Sequence, residues 1–107
     1  MAYYLFQAAY TSEAWATLLK KPQNRFEVVR AAIEKLGGSL EGGWFAFGEY
    51  DLVLVAQFPD NSKSAAFALA TAAGGALKSA KTTPLMTFEE GLEAMKHASK
   101  TGYRPPK

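Results

Sequence analysis

Asp51 is the residue of this chain best placed to move a proton. It opens a strand-forming run in which Val53, Val55 and Gln57 share its face by parity. Desolvation in an apolar mouth raises a carboxyl pKa toward neutrality, where a carboxylate can act as a general base. Tyr3 and Gln57 would then orient a substrate by hydrogen bonding from the other end of that face. The same residues also suit hairpin chemistry. Gly48 would supply a positive φ, Asp51 would accept backbone N–H bonds, and Tyr50 would pack. Both readings stand on the sequence alone.

Gln7 and Gln57 fall on two central strands, on the same putative interior face. Uncharged amides beside Val53 in an apolar cavity are groups a pocket uses to orient a small molecule. They could equally bond to each other across an interface between copies. Arg25 lies at the start of a helix, where the dipole disfavours a cation, which points to an anion or a carboxylate partner such as Asp60. His97 is the only histidine and there is no cysteine. A structural or catalytic zinc takes three or more protein ligands, so no metal site and no cofactor are expected, and His97 should face solvent.

The whole chain has 107 residues, 49% of them hydrophobic, with 12 Lys plus Arg against 10 Asp plus Glu. That length suits one domain able to bury a core without disulfide staples. We assign it to residues 1–98, with 99–107 as a tail. The basic residues between Lys20 and Lys35 are interleaved with Glu27 and Glu34, as on a solvated helix face rather than a nucleic-acid stripe. No apolar run approaches the ~20 residues of a membrane span and the N-terminus lacks a basic leader, so no membrane partner and a cytoplasmic location are expected.

Positioning falls to four strands and four helices. Residues 2–10 read as an aromatic strand. Thr11 and Ser12 cap a helix through Trp15, Pro22 interrupts it, and a second helix runs from about Gln23 to Leu36. Gly37-Gly38 closes that helix. A strand over 39–47 carries Gly42-Gly43 as a bulge signal, Gly48-Glu49 reads as a tight turn, and Tyr50–Phe58 is the next strand. An alanine-rich helix over 62–73 follows, able to lie close against a sheet. Leu77–Leu85 is an edge strand, and Thr87–Glu90 is a capping box for a last helix striped with Phe88, Leu92 and Met95. The order β-α-β-β-α-β plus one helix is the split β-α-β of ferredoxin-like α+β folds, with strand order 4-1-3-2.

In such a sheet the face away from the helices should be polar. Here it would carry Leu5, Val53 and Val55 among uncharged polar groups. A second copy is the simplest cover, so a homodimer or larger homo-oligomer is expected.

The run Gly48-Glu49-Tyr50-Asp51-Leu52-Val53, followed by Phe58-Pro59-Asp60, resembles the GYD domain family, named for such a Gly, Tyr, Asp motif. Pro22, Arg25 and Gly37-Gly38 fit the same pattern, so the resemblance covers residues 2–95, without the helical stretch around Trp15 or the basic, proline-containing tail. The resemblance implies a dimeric α+β barrel, a superfamily that includes monooxygenases, isomerases and ligand sensors. Our expectation is a homo-oligomeric barrel that holds a small, mostly apolar molecule between sheet and helices, through Tyr3, Gln7, Tyr50, Val53, Gln57 and Arg25. The alternatives are a cofactor-independent enzyme using Asp51, and a purely structural oligomerisation domain with no cavity.

Overall fold

Residues 1–107 are described by a computed structural model. The elements are β1 (Ala2–Tyr10), α1 (Ser12–Lys20), α2 (Arg25–Lys35), β2 (Ser39–Phe45), β3 (Leu52–Phe58), α3 (Asn61–Ala73), β4 (Leu77–Leu85) and α4 (Phe88–Ala98). The four strands form one antiparallel sheet in the order β2-β3-β1-β4, the α+β topology read from the sequence. No helix is long and apolar enough to cross a membrane.

Local chemistry accounts for the helix ends. Thr11, Asn24, Asp60 and Thr87 each accept a backbone N–H from the first turn that follows, filling orphan donors. Thr87 and Glu90 complete the reciprocal capping box. At the end of α2, Gly37 takes a φ of +80° and the Gly38 N–H returns to the Ile33 carbonyl. A Cβ on Gly38 would stand 2.6 Å from the Gln57 carbonyl oxygen, so only glycine lets α2 end against β3.

Strand parity divides the sheet as the alternation predicts. Tyr4, Phe6, Leu54, Ala56 and Phe58 are buried under the helices with Ile33 of α2 and Phe67 of α3. The Phe6, Phe58 and Phe67 rings knit this core with centroids 5.1 to 5.9 Å apart, Phe6 meeting the other two edge-on and Phe58 and Phe67 tilted against each other. Tyr3, Leu5, Gln7, Val53, Val55 and Gln57 take the other face, which no helix covers; Tyr3 pairs with Gln57 and Gln7 with Val53. The register of β2 on β3 shifts between Leu40 and Gly42, a bulge next to the Gly42-Gly43 signal.

Two expectations are corrected. The connection between β2 and β3 is not a two-residue turn with Gly48 at positive φ. Gly48 lies outside the left-handed region, and Phe47–Tyr50 bridge the pair, closed by the Ala46 N–H donating to the Asp51 carbonyl at 2.8 Å. A four-residue loop reverses the chain without a left-handed residue, so the glycine is not conformationally required. The final helix forms, but its stripe does not join the core: Phe88 is fully exposed, and Leu92 and Met95 are 51% and 69% exposed. The helix extends away from the sheet, giving dimensions of 58 × 35 × 22 Å and a radius of gyration of 17.2 Å. A compact chain of this length would measure about 13 Å.

Candidate functional site

On the helix side of the sheet, between α2 and α3, lies a cavity of about 340 Å³. Phe6, Tyr10 and Leu54 contribute to its floor, Val29 and Ala32 come from α2, and Ala68 and Thr71 from α3. Side-chain size explains the space. Ala8 pairs with Ala80 on the inward face, and α2 and α3 present Ala32 and Ala68 above them. Four methyl groups stand where leucines would close the gap, so the C-terminal half of α3 roofs a chamber instead of lying close on the sheet. The N-terminal half does pack, burying Ser64 and Phe67.

At one end the chamber meets a second, more polar hollow of about 320 Å³ between α1, the start of α2 and Gly74–Ala76. Tyr10, Arg25, Gly74 and Ala76 border both. Arg25 is half-buried and its Nη1 donates to Gln23 Oε1 at 3.0 Å. It forms no ion pair; the ion pairs of the chain are Arg30 with Glu27 and Lys96 with Glu93. The Asp60 partnership is not formed, because the Asp60 carboxylate caps α3 by accepting from Lys63 N–H at 2.9 Å. Burial pushes the Tyr10 phenol above the usual tyrosine range; the Arg25 cation opposes this and the Asp51 charge adds to it.

Asp51 is held by the ends of two other elements. Its Oδ2 accepts the Tyr10 backbone N–H at 2.9 Å and the Trp15 indole Nε1–H at 3.3 Å, while its own N–H donates to the Ala8 carbonyl at 2.8 Å. Trp15 stacks edge-on against Tyr10, with centroids 5.2 Å apart, and reaches Phe45 at 6.3 Å. The carboxylate thus ties β1, α1 and the start of β3 together. This is the backbone-accepting arrangement of the hairpin reading, moved to a neighbouring strand. Trp15, unassigned from sequence, is the other half of the clamp.

The remaining sequence-derived candidates divide between the two faces. Tyr3, Val53 and Gln57 lie on the uncovered face, and Gln57 Nε2 donates to Glu41 Oε1 at 2.7 Å beside the bulge. Gln7 stands four residues along β1 from the Gln57 partner Tyr3, about 13 Å away at strand rise, so the two amides do not meet within one chain. Gln7 borders the chamber between Phe6 and Ala8, but its strand parity puts its side chain on the uncovered face with Val53 and Lys81. Tyr50 is half-buried in the loop, and His97 is exposed on α4. Arg25 is therefore the predicted residue whose side chain can serve the cavity. The paired Ala8 and Ala80 and the alanines of α3 are the sequence signal for it. No three His, Cys, Asp or Glu side chains converge on a metal-sized space.

Comparison with known proteins places these features. Among solved structures, the chain is similar to one described as the crystal structure of FFRP-DM1, at 13% identity and a TM-score of 0.49, over 80% of this chain and 100% of that one. No curated protein matches. The family model of the GYD domain matches residues 4–95, from Tyr4 in β1 through the Tyr50-Asp51 motif to Met95 of α4, and the chain belongs to the GYD domain family.

Proposed function

We propose that the protein is a homo-oligomeric binding module that holds a small, mostly apolar molecule in the chamber between sheet and helices. The chamber itself carries this reading: about 340 Å³ lies within the range of small-molecule sites, roughly 300–1,000 Å³, and 13 of its 19 lining residues are hydrophobic. The chamber opens to solvent past Ala80 and Thr82, so an apolar body that enters it releases water from apolar surface.

Oligomerisation through the uncovered sheet face accompanies it. Leu5, Val53 and Val55 form the centre of that face, with Tyr3, Trp44 and Leu85 around them. Covering several hundred Å² of it would contribute many kcal/mol at ~25 cal/mol per Å² before association entropy is subtracted. General-base catalysis is not part of the proposal, because the Asp51 carboxylate is engaged by Tyr10 and Trp15.

The test is to fill the chamber. Ala68→Phe adds a ring at the α3 wall while leaving the open sheet face untouched. Calorimetric titration of 1-octanol should show saturable binding to the wild type and at least ~10-fold weaker binding to this variant, a change of about 1.4 kcal/mol. Equal affinity for both proteins would place binding elsewhere and overturn the reading.

A further inference from the structure

The charges around the chamber are one-sided. Its lining contains no aspartate or glutamate, and its two charged residues are cations, Arg25 and Lys81. Lys81 pairs with Gln7, so its side chain belongs to the uncovered face. Arg25 borders both hollows, and it alone of the two can serve the junction between them.

Arg25 is unusual among the cations here. It is the first residue of α2, where the helix dipole disfavours positive charge, so its position is not explained by helix stability. It is half-buried, where screening by water is incomplete. A guanidinium has five N–H donors, and the groups that meet it, the Gln23 amide oxygen and the Tyr10 phenol, are both uncharged. Tyr10 stands beside it as a phenol, protonated at neutral pH like any tyrosine and pushed further from ionisation by burial, and so brings no competing negative charge. Two carboxylates lie nearby. Glu13 lines the outer, polar hollow, and Asp51 borders neither hollow, its Oδ2 taken by Tyr10 N–H and Trp15.

We propose that the ligand of the chamber carries a carboxylate: a small organic acid whose apolar body fills the space under α3 and whose head sits at the junction, held by the Arg25 fork with Tyr10 O–H beside it. A bidentate guanidinium–carboxylate contact supplies both the missing counter-charge and an orientation for the body. The inference rests on the reading of the chamber as a ligand site, and adds the class of molecule.

Octanoic acid, 1-octanol and octylamine share one apolar body and differ only in the head, so they separate the two claims. At pH 7 octanoate should bind the wild type about 10-fold more tightly than octanol, with octylamine weakest. Arg25→Gln should abolish the preference for octanoate while leaving octanol affinity unchanged, and Arg25→Lys should restore part of it, with folding checked by circular dichroism. Octanol binding as tightly as octanoate, or Arg25→Gln weakening both equally, would overturn the carboxylate assignment and leave the chamber as a neutral site. Failure of all three ligands to bind the wild type would overturn the chamber reading itself, and the carboxylate assignment with it.

Discussion

Replacing Asp51 by alanine should cost about 2 kcal/mol of folding stability, and the figure follows from the bonds lost. The Tyr10 N–H at 2.9 Å belongs to a buried residue and would be left without its acceptor, a loss of about 1–3 kcal/mol for a partly buried, charge-assisted bond. The Trp15 bond is long at 3.3 Å and adds a few tenths, since the indole retains its packing on Tyr10. Asp51 is itself half-exposed, so water recovers part of the loss, which holds the sum near the middle of the range. For a chain of this size the expected fall in melting temperature is about 10 °C. Asp51→Asn keeps one acceptor oxygen and loses the charge, so it should fall between the two. Urea unfolding followed by Trp15 fluorescence in a Trp44→Phe background reads the clamp directly, and the denaturant slope should not change. If Asp51→Ala unfolds at the wild-type midpoint, the clamp contributes nothing and Asp51 is free for another role.

Gly38→Ala should destabilise strongly, by about 2 kcal/mol or more, because its Cβ would collide with the Gln57 carbonyl; Gly48→Ala, with open space around it and no positive φ, should stay within about 0.5 kcal/mol, and paired melting curves distinguish them. The raised pKa of Tyr10 means that the folded state holds its proton longer than the unfolded chain. That stabilisation is complete below the ordinary tyrosine pKa of about 10 and is lost as pH rises through the folded value; ultraviolet titration should show one late-ionising phenol that Tyr10→Phe removes. Sedimentation of the wild type should give a species heavier than the 11.6 kDa chain, and Val53→Lys should dissociate or unfold it by placing an unpaired charge in the interface, whereas a wild-type monomer at micromolar concentration would refute sheet-face association.

Residue identity alone determined the parts of this molecule that depend on near neighbours. Thr11, Asp60 and the Thr87–Glu90 box announce helix starts, because capping joins groups three residues apart. Gly37-Gly38 announces a helix end, and the alternation of Tyr4, Phe6 with Tyr3, Leu5 assigns the two sheet faces, because backbone geometry sets both periodicities. Laying the two central strands antiparallel and centred on each other sets Gln57 beside Tyr3, the pairing that forms. Other features were decided only by the tertiary structure. Asp51 meets Trp15 across 36 residues, and nothing local favours that partner over the turn amides beside it. The chamber exists because alanines on β1, β4, α2 and α3 face one point, and each alone is only a small residue on an apolar face. The stripe of α4 has the spacing of a core helix, yet the chain leaves β4 in a direction that takes it off the sheet. Periodicity specifies which side of a helix is apolar; only the path of the chain decides what, if anything, lies against it.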